Sequence, residues 1–411
     1  MNGPETLRAD ALALEGGPPL RAEPFAPWPV FAEDERRAAD AVLASGRVNY
    51  WTGEECARFE QEFAARVGVA HAIATANGTL ALELALRALG VGAGDEVIVP
   101  AKTFIASASC AAAVGARPVV CDVDPESQNL TVETVRAVLT PRTRAIVAVH
   151  LAGWPCEMGP IVALARERGI AVVEDCAQAH GATWCGKPVG SFGDAAAFSF
   201  CQDKIMTTGG EGGMLVTARA ELWERAWAYK DHGKSWAAVH AREPAPGYRW
   251  LHESFGSNFR MTEMQAAIGR AQLRKLDGWV QARRRNAAVL AAGLAGIPGI
   301  RVPQPPPSSG HSYYRFYAFV EPERLAPGWT SLRVLQAIAA EGIPCQQGAC
   351  SEIYRERAFV EAGFAPARRL PIAARLAETS LAFLVHPTLD ESDMRDCARA
   401  VAKVMRKATA G

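Results

Sequence analysis

The sequence predicts an α/β protein with a mainly parallel central sheet covered by helices and a smaller C-terminal α+β domain. Three observations predict it. Seven short apolar runs without polar alternation recur between helix-patterned segments over residues 70–217, a long helical stretch follows from about 261, and a proline-rich break at 302–310 separates that stretch from further strand and helix patterns. With 411 residues and 49% hydrophobic content, the chain can fill both cores.

Residues 1–32 are rich in Pro, Gly and Ala and read as an N-terminal arm rather than core. From residue 54, EECARFEQEFAARVGV has apolar residues at helical spacing, with Phe59 and Phe63 four apart. The seven runs are AHAIATA (70–76), DEVIVPA (95–101), RPVVCDV (117–123), RAIVAVHL (144–151), IAVVED (170–175), DAAAFSFC (194–201) and GGMLVT (212–217). Strands of this kind suit a sheet covered on both faces, whose sites gather beyond the strands' carboxyl ends. The stretch 261–294 reads as one or two long helices, VPQPPPSSG (302–310) as a break, YYRFYAFV (313–320) as a strand, and 331–341 and 391–407 as helices. The expected division is an arm at 1–32, a large cofactor-binding domain at 33–275 and a small domain at 276–411.

Lys+Arg and Asp+Glu both number 44, so no global field gathers nucleic acid or an acidic membrane surface, and a small-molecule site is the default. The ten cysteines are scattered without a Cys-x-x-Cys pair, which reads as reduced thiols in a cytoplasmic protein. Cys345 and Cys350 have no second Cys/His pair at zinc spacing, so no metal is expected. The start, MNGPETLRADALALEGG, lacks the basic and apolar pattern of a signal peptide, and no apolar stretch reaches membrane-spanning length.

Four segments at strand ends carry the chemistry. ATANGTLALELALRAL (74–89) places Asn77, Gly78 and Thr79 at a helix start, where unpaired N–H groups bind phosphate; an ordinary capped helix has the same pattern. In VPAKTFIASASC (99–110), Phe104 is placed to lie against an aromatic ring or to fill the core. IAVVEDCAQAHGA (170–182) ends an apolar strand in Glu174 and Asp175, followed by Gln178 and His180. A carboxylate there can pair with a protonated pyridine nitrogen or cap the next helix. His180 suits packing or hydrogen bonding better than catalysis. In GDAAAFSFCQDKIMTTGGEGGMLVT (193–217), Ser199 and Lys204 flank a strand end before a glycine turn, a setting for an amine that forms a Schiff base with an aldehyde cofactor.

At these residues the sequence resembles the DegT/DnrJ/StrS family of sugar aminotransferases, pyridoxal-phosphate enzymes of the aspartate-aminotransferase fold (fold type I). The likeness runs from about 33 to 400 and includes GRVNYWTGEECARFEQEFA, NGTLALELAL, the Glu174–Gly181 segment, Ser199-x-x-x-x-Lys204 and FGSNFRMTEMQAAIG at 255–269. The resemblance implies that Lys204 binds pyridoxal 5'-phosphate covalently, Asp175 pairs with the pyridine nitrogen, Gln178 contacts the ring oxygen and Phe104 stacks on the ring. Gly78, Thr79 and Ser199 would bind the phosphate, with Asn258 reaching it from the neighbouring subunit of a homodimer with two shared sites. It implies two half-reactions: glutamate or glutamine donates its amino group, and the pyridoxamine 5'-phosphate intermediate passes it to a ketone.

For the ketone, a nucleotide-linked keto-sugar ranks first and a free keto-inositol or aminohydroxybenzoate-type substrate second. Related dehydratases replace the lysine with histidine, so Lys204 favours transamination, and the intact Lys204, Asp175 and Gln178 argue against a non-catalytic regulator. Candidate substrate contacts are Asn49, Tyr50, Trp51, His232, Lys234, Arg249, Trp250, His311, Tyr313 and Tyr314. The insertion 233–254 is the expected specificity element, and Arg283, Arg284 and Arg285 read as an exposed helix face.

Overall fold

The protein is described here by a computed structural model covering residues 11–240 and 249–409. Each apolar run becomes a strand: β1 (His71–Thr75), β2 (Glu96–Pro100), β3 (Arg117–Cys121), β4 (Thr143–Val149), β5 (Ala171–Asp175), β6 (Ala195–Ser199) and β7 (Gly213–Thr217). Their order is β1-β7-β6-β5-β4-β2-β3, and only β7 runs against the others. The absence of polar alternation has the expected cause. Ile73, Val97, Val147, Val173, Ala197 and Leu215 enter one core, while Ala72, Ile98, Ile146, Val172, Ala196 and Met214 enter cores on the other face.

Helices cover both faces. Those that position the site are α1 (Glu33–Ser45), α2 (Glu55–Val67), α3 (Gly78–Ala88), α4 (Ala106–Ala113), α5 (Met158–Arg168), α6 (Ala220–Lys230) and α7 (Glu263–Leu273). The 261–294 stretch forms two helices, α7 and α8 (Leu276–Leu294). Beyond them β8 (Ile300–Arg301), β9 (Phe316–Val320), β10 (Cys345–Gln346) and β11 (Ser380–Phe383) form an antiparallel sheet ordered β8-β9-β11-β10. This sheet packs with α9 (Ser331–Ala340) and α10 (Pro371–Thr379) beside it, and with α11 (Glu391–Ala408) against α8.

Three local expectations are corrected. The segment expected as an arm enters a core: Leu12 is fully buried with Leu290, Phe316, Val334 and Val401, and Glu341 accepts hydrogen bonds from the Ala13 and Leu20 amides at 2.9 and 3.0 Å. The strand expected from Tyr313 begins at Phe316, because Tyr313 has a left-handed φ of 50° that breaks the extended run. Arg283 is not on an exposed face, since it shares the buried stripe of α8 with Val280, Ala287 and Leu290, leaving Arg284 and Arg285 outside.

All ten cysteines are free, and most are buried. No helix among the described residues is long and apolar enough to cross a membrane.

Candidate active site

The carboxyl ends of β1, β2, β4, β5 and β6 converge, and the expected cofactor residues meet there. Asn77 caps α3 by accepting from the Leu80 amide (2.9 Å), which leaves the first N–H groups of the helix directed outward. Gly78 lies so close to β6 that an added Cβ would stand 2.6 Å from the Cβ of Ser199. Glycine is therefore required by the approach of helix to strand. Thr79 is exposed beside it, and Ser199 ends the strand.

On the neighbouring strand, Asp175 is 5% exposed. Its carboxylate accepts from Ser107 Oγ (2.7 Å) and the Ala177 amide (3.1 Å), and Ser107 in turn meets Thr103 Oγ1 at 2.8 Å. Burial nevertheless raises the Asp175 pKa, because these bonds only partly replace lost water. Gln178 is half-buried, with Oε1 accepting from the Ala152 amide (2.8 Å). Phe104 is 67% exposed at the start of the Ser107 helix, so its ring is available as a stacking face.

Glu174 serves the frame instead. It accepts from the Gly190, Phe192 and Gly193 amides, each at 2.8 Å, and meets His150 Nε2 at 3.1 Å. Because His150 Nδ1 accepts from the Cys156 amide, Nε2 carries the proton and donates to Glu174. His150, Glu174 and Cys176 lie within metal-ligand reach of one another, but these hydrogen bonds already engage the imidazole and the carboxylate.

Lys204 projects beyond β6 with its side chain 16% exposed. Its Nζ lies 3.1 Å from an Asp203 oxygen and 5.1 Å from the Tyr314 ring centre, while the Tyr314 hydroxyl hydrogen-bonds Asp203. Burial opposes the ammonium charge, but Tyr314 and Asp203 outweigh it and hold the pKa above its ordinary value. Trp28 Nε1 donates to the Lys204 carbonyl (2.9 Å), tying the N-terminal segment over the lysine. A cavity of about 740 Å³ opens beside this group, walled by residues 21–28, Asp203, Tyr314 and the small sheet. His180 is buried against Phe198 and Phe200 with both ring nitrogens unpartnered, and burial pulls its pKa down to about 3.

Several expected substrate residues form a second group around Asp231, which is fully buried and accepts from Arg260 (2.8 Å) and Lys234 (3.1 Å). Trp51 lies over the Lys234 ammonium at 4.3 Å, and Tyr50 over Lys230 at 3.6 Å. Asn49, His232 and Asn258 are exposed nearby, with His232 at a φ of 60°. The group adjoins the end of β1 through the Ala76 amide, which donates to the Phe259 carbonyl.

The remaining candidates are placed differently. Arg249 is engaged by the Ala238 and Val239 carbonyls, and Tyr313 stacks on His311 at 3.8 Å. Tyr314, not Tyr313, faces Lys204. Trp250 is 83% exposed, and residues 241–248 of the expected specificity insertion lie outside the described residues. Sequence reasoning missed Ser107, Asp203 and Trp28. The first two lie within recognised segments, whereas nothing local marks Trp28.

The site fits a phosphorylated pyridine aldehyde. Gly78 and Ser199 meet in close contact at a helix N-terminus suited to an anion, Asp175 is a buried carboxylate suited to a ring cation, and Lys204 offers an amine. The fold and this residue set define an aminotransferase of fold type I.

The family profile of the DegT/DnrJ/EryC1/StrS aminotransferases matches residues 29–402, and the chain belongs to that family, whose enzymes depend on pyridoxal phosphate. It is 39% identical over 420 residues to an L-glutamine:2-deoxy-scyllo-inosose aminotransferase of Streptoalloteichus tenebrarius, covering 96% of this chain and 97% of that one. It is 38% identical to a UDP-N-acetyl-3-dehydro-alpha-D-glucosamine 3-aminotransferase of Acidithiobacillus ferrooxidans, covering 86% and 89%. A solved aminotransferase from Psychrobacter cryohalolentis is 51% identical, with a TM-score of 0.92 over 94% of this chain and 100% of that one.

Proposed function

We propose that the protein moves the amino group of glutamine or glutamate to the carbonyl of a cyclic polyhydroxylated ketone, with pyridoxal phosphate joined to Lys204. The observation that carries this reading is the placement of Lys204, the buried Asp175 and the Gly78–Ser199 contact at neighbouring strand ends. When bound, the cofactor supplies an electron-withdrawing ring that acidifies the donor's α-proton and carries nitrogen between the half-reactions.

The residues have distinct tasks. The N–H groups of α3, with Ser199, would hold the phosphate, and Asp175, oriented by Ser107, would pair with the ring nitrogen. Phe104 would cover the ring, Gln178 would border its oxygen, and Lys204 Nζ would take up and return the proton.

A nucleotide-linked keto-sugar is the favoured acceptor. The ammonium of Lys234 under Trp51, beside exposed His232 and Trp250, combines cationic and aromatic groups suited to a diphosphate and a base. A free inosose is the second reading, favoured by the relative matched over nearly its whole length. Two copies sharing their sites account for Asn258 and Phe255, both exposed at the motif assigned to the neighbouring subunit.

The test is the visible absorption of the purified protein loaded with pyridoxal phosphate. Glutamine or glutamate should bleach the cofactor band, and one member of a panel of nucleotide-linked ketoses and inososes should restore it. A band unchanged by every donor would refute the reading.

A further inference from the structure

We propose that the cavity between α2, the turn after Gln178 and the start of α8 is a binding site for a neutral single-ring molecule carrying a hydroxyl group, with His180 as its hydrogen-bond partner. The cavity has a volume of about 190 Å³ and shares no lining residue with the one beside Lys204. An apolar cavity of about 150 Å³ already accommodates a benzene ring. Space for one ring and a substituent is therefore present.

The walls select against charge. Phe63, Val67, Val189, Phe198 and Leu276 make the lining mostly apolar, and all five are buried. Arg66 stands at the rim as the one charged side chain among the described lining residues, and both of its terminal nitrogens donate to Asp277. Phe63 meets Phe198 edge-on with ring centres 4.9 Å apart, and Gly190 lies so close that an added Cβ would stand 2.8 Å from the tip of the Phe198 ring. The aromatic wall is thus held in one shape and is not free to fill the space.

His180 supplies the polar contact. It is 1% exposed, lines this cavity, and neither ring nitrogen has a hydrogen-bond partner among the described residues. Phe198 and Phe200 flank the imidazole with ring centres at 5.5 and 5.6 Å and offer it no polar atom. Burial, with the charges of Lys204 and Arg283, pulls its pKa down to about 3 and keeps it neutral. A neutral imidazole carries one N–H donor and one acceptor nitrogen, and either one left buried and unpaired costs stability. A hydroxyl both donates and accepts, so it answers whichever nitrogen it meets. A carbonyl only accepts, and a carboxylate would find no free cation in the wall.

The mouth lies between exposed Arg66 and half-buried Thr183 and Pro188, so a small molecule reaches the cavity from solvent. The site abuts the chemistry without joining it. His180 lies two residues beyond Gln178, and Phe198 directly precedes Ser199 in β6, so an occupant packs behind both segments.

The experiment uses the full-length, cofactor-loaded protein with 4-fluorophenol and fluorobenzene as probes, their binding followed by fluorine NMR line broadening. The two differ only in the hydroxyl, and fluorobenzene is the more apolar, so a cavity that merely excluded water would prefer it. 4-Fluorophenol should bind saturably and about tenfold or more tighter than fluorobenzene, the gain from pairing a buried imidazole. His180→Leu keeps the bulk and removes both nitrogens, and should bring the two probes within about threefold of each other or favour fluorobenzene. No saturable binding of 4-fluorophenol, fluorobenzene bound as tightly by the parent, or a phenol advantage that survives His180→Leu would overturn the proposal. Should His180→Leu not fold, crystals of the parent soaked in 4-bromophenol decide it by the anomalous signal of bromine, expected between Phe63, Val189 and Leu276; bromine found only elsewhere, or nowhere, refutes the site.

Discussion

Lys102 is fully buried between the two sheets, its ammonium bonded to Ser380 Oγ (2.7 Å) and 4.9 Å from the Tyr317 ring centre. Burial pulls its pKa from the ordinary 10.5 down to about 7. Between those values the unfolded chain binds more protons than the native one, so stability rises with pH across the window. Below about 7 both states are charged, and the penalty is fully present. At 1.36 kcal/mol per pKa unit the penalty is about 4 kcal/mol at pH 7, falling to about 1 kcal/mol at pH 10. Lys102→Met fills the same space and removes the charge. Ser380 keeps its bond to the Leu376 carbonyl (2.6 Å), so the lost interaction is about 1 kcal/mol. The variant should therefore be about 3 kcal/mol more stable than the parent at pH 7 and nearly equal to it at pH 10. Melting curves of both proteins at the two pH values measure this. A variant less stable at pH 7, or an advantage equal at both pH values, would refute the reasoning.

Three further outcomes follow from packing and capping. Gly78→Ala drives a Cβ against Ser199 and should weaken pyridoxal phosphate binding about tenfold or more, read by titrating the cofactor-free protein; equal affinity would mean the helix–strand contact tolerates the methyl. Ser107→Ala removes one donor from Asp175 and should lower turnover about tenfold, read by steady-state kinetics with the cofactor saturating; undiminished turnover counts against Ser107 as a positioning residue. Glu263→Ala uncaps α2, whose Glu55 and Cys56 amides donate to it, and should cost about 1–2 kcal/mol in thermal stability; no change would show that water replaces the cap.

The readable parts of the molecule are those whose physics is local. Seven strands were legible because a strand buried on both faces cannot alternate, and Val97–Ile98 or Val172–Val173 shows this within two residues. The Ser199–Lys204 spacing was legible because one strand end sets it. Trp28 was not, since its partners Lys204, Trp279 and His386 are brought to it only by the complete fold. Arg283 was misread for a related reason. Three consecutive arginines look solvated, yet helical periodicity turns the first inward with Val280 and Ala287, and no short window reveals what lies across from it. Tyr313 and Tyr314 illustrate a finer limit: the left-handed backbone at Tyr313 decides which ring faces Lys204, and no turn residue announces it.

The wall beside Lys204 joins residues 21–28 to the small sheet, segments far apart in the chain, and that bears on events during synthesis. Leu12, Ala13 and Trp28 emerge from the ribosome early, yet Ala13 awaits Glu341, 328 positions later, and Leu12 awaits Val401. The seven-stranded sheet, complete at Thr217, can collapse long before. A nascent chain thus owns Lys204 and Asp175 before it owns the compartment that shelters them. The contacts that seat the leading segment thus come from the small domain, and a chain truncated before α11 would lack part of the core that receives Leu12.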